Sequence, residues 1–565
     1  MNHPSARRIQ PHYSICLDAR PPGTEFRAVV LAAFGISVAL LSGHARAQDN
    51  DDDTTDAAKR GDAAAPAAAV AAKAPGAAAV DASATAKIKA PDSHEDAALV
   101  ASSPTETSPA PERAPVYGKR GDWFIAPYGY ARLDAIEDST QSFADGIQPN
   151  LIARPGTYKG DHQRSNLTAR DSRLGFFVGA PQYEGIRSSA QIEFDFYGLE
   201  PSDARVADSV IFGVPRIRHA FLKLETKVVD VVAGQYYDLF GWGSYFYPAT
   251  VAYLGVPGMI YHRAPQLRLE KKLRAGDLEI MAAVAAVRAG ERDSGIPDGQ
   301  AGLKISYNGW SGAAMPGFGR PVQAPLSVGV SGVFRHFQVP AFESDPGSHS
   351  VSTNGSGVSV DVLIPVIPVK TLADHGNALT FTGEFSTGTG SADMYTGMDG
   401  GSRFPVLPNP ASNPIAPTYA ADVDPGLVTF DRNSKLKSIN WQAFVIGGQY
   451  YLPIGGGRVW VAGIYSQIKS NNIKTLTPFT GYGGIFTKME YIDANLGWDI
   501  TPALVLGLSF QTVKQTFGDV SAPDPVYGNN AGASLGATPL SVPVTGGVPA
   551  SARNNRGQLS LALFF

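Results

Sequence analysis

The chain has 565 residues, a formal charge of −4 and one cysteine, Cys16. A mildly acidic balance gives no support for a nucleic-acid partner, and a lone cysteine excludes a disulfide framework or a thiolate metal cluster. Its 61 glycines and 10% aromatics suit a protein of many tight turns.

The first element is an export signal. Arg27 precedes the apolar run Ala28 to Leu41, and Ser42-Gly43-His44-Ala45-Arg46-Ala47 supplies an Ala-x-Ala pattern. The run is 14 residues, too short to span a bilayer but suited to a signal peptide. Residues 1–47 are therefore expected to be removed, Cys16 among them, which shifts the formal charge from −4 to −7. The long stretch before the run leaves the true start open, and Arg7-Arg8 lies too far from it for a twin-arginine signal.

Residues 48–119 follow as an expected disordered Ala/Pro-rich periplasmic tether. Asp49 to Asp56 is acidic, Ala63 to Pro91 is dominated by alanine, and Pro66, Pro75 and Gly76 interrupt any helix. The aspartates lack the spaced glycine and glutamate of a calcium loop, so no cofactor or metal is expected. Beyond residue 47 no segment reaches the ~20 apolar residues of a spanning helix, so a membrane crossing has to be made by strands.

From residue 120 to 565 the pattern predicts strands. In Gly185 to Tyr197, Ile192, Phe194 and Phe196 alternate with Gln191, Glu193 and Asp195, as a wall with lipid outside and water inside requires. The same test gives about sixteen strands, beginning near Trp123, Thr168, Gly185, Val214, Val229, Tyr261, Gly276, Asp298, Pro325, Gly355, Asn377, Ser438, Arg458, Phe486, Pro502 and Arg553.

Short connections alternate with long ones, the longest being Gly390 to Lys437 and Gly518 to Ala552. Trp310 to Ala324 falls on the short side without being short, and a missed or misplaced strand is expected there. Trp123, Trp310, Trp441, Trp460 and Trp498 lie near predicted strand ends, where an aromatic girdle would place them. The last strand carries Leu559, Leu561, Leu563 and Phe565 on one face and ends on an aromatic residue. These features predict an all-β fold, a transmembrane antiparallel β-barrel. An even strand count puts both barrel termini on the periplasmic side.

Several stretches carry a family resemblance. Ser172-Arg173-Leu174-Gly175-Phe176, Arg218-His219-Ala220-Phe221 and Gly234-Gln235-Tyr236 resemble the sixteen-stranded general porins, and the terminal phenylalanine resembles the signal read by the barrel assembly machinery. Tyr130 to Ile136, Val358 to Pro368 and Thr382-Gly383-Glu384-Phe385 are similar to the DcaP-like outer-membrane porins. The amino-terminal segment departs from the helical terminus common in that family. The resemblance implies a homotrimer in the outer membrane, in contact with lipid and lipopolysaccharide, passing small anionic solutes such as dicarboxylates.

It also implies a basic ladder facing an inward-folded third loop. The matching positions are Arg132, Arg173 and Arg218, with Arg263 as a fourth, and strand parity turns them inward. The matching loop, Phe240 to Ile260, holds no charged residue, and only Asp238 just before it could supply an acidic counter-face. Unpaired arginines opposite a neutral loop would attract anions, with Trp242, Tyr245, Phe246, Tyr247 and Tyr253 narrowing the pore. The competing reading pairs the same arginines with wall carboxylates such as Glu193 and Asp195. Arg216 shares the parity of Arg218 and is given no role beyond lining.

No enzyme signature is found, neither a zinc helix, a phosphate loop nor a nucleophile elbow. With Arg218 and Arg263 inward, His219 and His262 are expected to turn outward. The function expected is a passive channel for small hydrophilic anions, and the alternative is a structural or adhesive barrel acting through its long loops.

Overall fold

The computed structural model describes residues 123–565 apart from 148–150, 199–212, 244, 253–254, 292–293, 342–348, 370, 399–422, 425, 432, 477–485 and 518–548. The expected signal peptide, the tether and Tyr253 lie outside the described residues, as do most of the two longest loops.

The wall is one closed antiparallel sheet. Its strands are β1 (Phe124–Asp138), β2 (Arg164–Thr168) with β3 (Arg173–Gly179), β4 (Arg187–Asp195), β5 (Arg216–Glu225), β6 (Asp230–Tyr237), β7 (Arg263–Ala275), β8 (Leu278–Val287), β9 (Asp298–Ala314), β10 (Val322–Pro340), β11 (Ser350–Ile367) and β12 (Leu379–Thr389). A small hairpin, β13 (Val428–Phe430) and β14 (Leu436–Ser438), pairs only with itself, and the wall resumes at β15 (Asn440–Tyr451), β16 (Val459–Ser470), β17 (Phe486–Asp499), β18 (Leu504–Phe517) and β19 (Ser551–Phe564). β2 and β3 both pair with β1 along its length, so they are two pieces of one wall strand and the wall counts sixteen. Closure runs from Tyr130 opposite Phe564 to Asp138 opposite Arg556. Phe565 extends it, with Gly129 N–H donating to its carbonyl at 3.1 Å and its own N–H donating back to Gly129 at 3.0 Å.

Each strand is inside out relative to a soluble sheet. On β17, Tyr491, Asp493 and Asn495 are buried while Ile492, Ala494 and Leu496 are exposed. On β19, Asn554, Arg556, Gln558 and Ser560 point in, and Leu561 and Leu563 point out. Leu133, Ile192, Ile217, Leu267, Val284, Phe334 and Phe444 continue the apolar exterior around the wall. A hydrocarbon surrounding rewards that exterior by roughly 1.5 to 3 kcal/mol per large side chain, and the closed ladder leaves no strand edge in lipid.

Two irregularities shape the interior. Between the β1–β2 and β1–β3 pairings, four residues, Ala169 to Ser172, oppose three on β1, and the slack lets Asp171 turn toward Arg132. On β5, Glu193 faces His219 and Phe194 faces Ile217, so Arg218 is an extra residue in a bulge. The bulge overturns the expected outward His219: both Arg218 and His219 are buried inside, and His219 Nε2 lies 4.0 Å from Glu193.

Between Trp310 and Ala324 no strand is missed but strand ends are misplaced: β9 runs on to Ala314, β10 starts at Val322, and a register shift at Pro325/Leu326 absorbs the mismatch. One other expectation is corrected. Trp441 and Trp460 belong to the interior rather than a girdle. Trp441 Nε1 donates to Gly426 O at 3.0 Å, and Trp460 lies over Gly497, where a Cβ would collide with its ring.

The long connections fold inward together. Phe143, Ile147 and Ile152 from the first, Phe240, Val256, Met259 and Ile260 from the third, and Met394, Tyr395, Leu427 and Phe430 from the sixth share one apolar core with Trp441, Ile468, Tyr491 and Phe517 of the wall.

Candidate functional site

The third loop leaves β6 at Tyr237 and crosses the lumen. At its start, Leu239 and Phe240 N–H donate to Gln300 Oε1 and Gly241 N–H donates to Ser331 Oγ, fastening it to β9 and β10. Midway, Thr250 Oγ1 donates to Asp493 Oδ2 at 2.6 Å and Val251 N–H to Asn495 Oδ1 at 2.8 Å, on β17. At its end, Ile260 N–H donates to Glu384 Oε1 of β12 at 2.9 Å. Contacts on β9, β10, β12 and β17 can be made only by a segment that spans the barrel.

The loop's aromatic residues seat it. Trp242 and Phe246 press into recesses at Gly302 and Gly329, where any Cβ would meet their rings. Tyr245 bonds its hydroxyl to Ser327 at 2.9 Å beneath Lys304, and Tyr247 stacks on Tyr261 with ring centroids 5.0 Å apart. Trp242 and Phe246 therefore face the wall.

Asp238 is no acidic counter-face. It is buried at the loop's neck, accepting from Gln300 Nε2 at 2.9 Å and pairing with His262 Nδ1 at 3.0 Å. His262 is thereby turned inward, contrary to the outward position expected. Burial opposes charge on both groups, yet their mutual attraction and hydrogen bond outweigh it, raising the imidazole and lowering the carboxyl from their ordinary values.

The basic ladder is brought together but is not unpaired. Arg132 binds Asp134 at 2.8 Å and Asp171 at 2.6 Å and donates to Val251 O at 2.6 Å, so it is sealed between the loop and the wall. Arg218 pairs with Glu193 at 2.7 Å and Asp195 at 3.2 Å and donates to the hydroxyls of Tyr237 and Tyr261. Only 3% of its side chain is exposed. Arg173 stands 3.6 Å from Glu193, 13% exposed. The expectation of unpaired arginines is thus corrected for these three, because Asp171, freed by the strand break, and the β4 carboxylates reach them.

Arg263 differs. It opens β7 half-buried, its guanidinium 5.3 Å from the centroid of Tyr261 and 5.6 Å from that of Tyr237. Among the described residues no carboxylate pairs with it, and its Nη1 is buried without a hydrogen-bond partner. Arg216, given only a lining role from sequence, chelates Asp195 through Nε at 3.0 Å and Nη2 at 2.6 Å, with 31% of its side chain exposed. Among the described residues Arg173, Arg216, Arg218 and Arg263 gather around two carboxylates, Glu193 and Asp195, and Arg263 is the one of the four that no described carboxylate pairs.

No protein-family model matches the chain, and no curated protein matches it in sequence. Among solved structures it is similar to the outer membrane channel DcaP of Acinetobacter baumannii, with a TM-score of 0.52 and 16% identity over 80% of this chain and 99% of that one. The anion-selective porin from Comamonas acidovorans matches at a TM-score of 0.43 and 10% identity, over 79% of this chain and 100% of its own. Outer-membrane-expressed OmpT of Vibrio cholerae matches at 0.40 and 11%, over 80% and 100%. These two are too distant to carry an argument. The chain is a closed sixteen-stranded antiparallel barrel and, at a TM-score of 0.52, shares the fold of the outer membrane channel DcaP.

Proposed function

We propose that the chain is an outer-membrane porin, a passive diffusion channel for small hydrophilic anions of the dicarboxylate type, working without chemistry. The observation that carries this reading is Arg263, a half-buried guanidinium without a carboxylate partner among the described residues. A solute carboxylate ~5 Å from one excess charge gains about 3 kcal/mol at an intermediate effective dielectric, enough to favour anions over cations of equal size. The neutral third loop supports the reading, since its one neighbouring acid, Asp238, is consumed by His262 and Gln300. The apolar exterior supports the outer-membrane location, and assembly as a homotrimer with periplasmic termini is part of the same proposal.

Planar-bilayer conductance in a salt gradient tests it. The reversal potential should have the sign of anion preference, and Arg263→Ala should move it toward zero. An absence of conductance, or cation preference in the wild type, would sink the proposal.

A further inference from the structure

We propose that the size limit of this channel is set by two inward loops rather than one, and that Arg335 is the positioning residue that holds the second in place. The inference rests on the channel reading and adds to it a determinant of which solutes fit.

The second loop is the stretch from Gly390 to Met398 that follows β12. It does not leave the barrel. Tyr261 N–H donates to Met394 O, Thr396 N–H to Met259 O and Gly258 N–H to Thr396 O, each at 2.9 Å, and Ile260 forms an antiparallel bridge with Tyr395. The end of the third loop and the start of the sixth are therefore joined as a short ribbon within the lumen, Met394 and Tyr395 both being buried. Glu384 supports the ribbon from below through Ile260 N–H.

A buried cation also anchors the ribbon to the wall. Arg335 on β10 has 1% of its side chain exposed and spends its donors on the second loop: Nη1 to Asp393 Oδ1 at 2.5 Å, Nη2 to Asp393 Oδ2 at 2.8 Å and Nη1 to Gly390 O at 2.7 Å. Nε is fixed by Asp298 Oδ2 at 2.9 Å. A buried pair of this kind adds little net stability against an apolar alternative, but it specifies one geometry, because removing either partner strands a charge. Here the geometry it specifies is a loop folded in instead of out. Arg335 thus fixes the position of Tyr395 against Ile260, and with it the gap left between this ribbon and the arginine side.

The test is single-channel conductance and liposome swelling with sugars of increasing size. Asp393→Asn should raise conductance about twofold as the loop swings outward, and admit larger sugars. The folded barrel is checked by its heat-modifiable mobility in detergent gels. An Ile260→Cys/Tyr395→Cys pair then supplies the control: oxidised, it should return Asp393→Asn to the wild-type conductance and cutoff, and reduction should restore the increase. Conductance and cutoff unchanged by Asp393→Asn, or an increase that persists in the oxidised double-cysteine protein, would overturn the two-loop inference alone. A wild type with no conductance would instead defeat the channel reading and this inference with it.

Discussion

A guanidinium can act on a passing solute only if part of its charge is left over after its neighbours are satisfied. That criterion divides the ladder. Arg132 is enclosed by Asp134, Asp171 and the Val251 carbonyl, so its replacement should scarcely change selectivity. Its loss would leave two carboxylates buried without their cation, and Arg132→Ala should destabilise the folded barrel by about 3 to 5 kcal/mol, read as a lower urea midpoint in detergent. A selectivity change as large as that of Arg263→Ala would contradict this division of roles. Parity along β1 and β3 made the inward direction of these arginines legible in sequence. Pairing with Glu193 and Asp195 was legible as the competing reading, but the Asp171 that closes on Arg132 was not, because it comes from a four-residue strand break whose turn has no sequence mark.

The His262–Asp238 pair carries a pH signature. His262 is raised, so its contribution is complete below the ordinary imidazole value of ~6.5 and fades as pH climbs through the higher folded value. Asp238 is lowered, so its share is present above ~3.9 and fades as pH drops through the folded value. Wild-type thermal stability should therefore decline on the alkaline side of neutrality relative to His262→Gln, and parallel pH curves for the two proteins would refute the pair.

At the scale of the element, shape holds the third loop alongside its hydrogen bonds to Gln300, Ser331, Asp493, Asn495 and Glu384. Trp242 and Phe246 occupy recesses that exist because residues 302 and 329 are glycines. Gly329→Val would put two methyls where both rings now lie, costing about 1 to 3 kcal/mol and lifting the loop from the wall. The expected reading is a red-shifted tryptophan emission with the barrel still folded, and an unchanged spectrum would show that the seat is elsewhere. The strand starts were legible from alternation, since lipid on one face and polar contacts on the other impose period two. The β5 bulge was not, because one extra residue reverses parity without changing composition, and that is why His219 was expected outside. Trp441 and Trp460 were misplaced for a related reason: nearness to a strand end is visible in sequence, whereas the face depends on register.

At the scale of the whole molecule, a barrel closed by β1 and β19 holds an apolar core made of its own loops on one side and an arginine-rich face on the other. The terminal strand announced the closure, and the neutral third loop announced that the arginines would meet no acid from it. The sixth loop gave no such signal, since Gly390 to Lys437 reads only as a long connection, whereas the Arg335–Asp393 pair, formed across 58 residues, and the backbone bonds to the third loop hold its first turn inside. The proposed selectivity rests on the balance of charge around Arg263, whose guanidinium no carboxylate among the described residues pairs. The reversal potential of the wild-type channel across a salt gradient, compared with Arg263→Ala, tests that balance most directly. The expected result under the proposed function is an anion preference that falls on removing Arg263, and cation preference, or a reversal potential indifferent to that substitution, would contradict it.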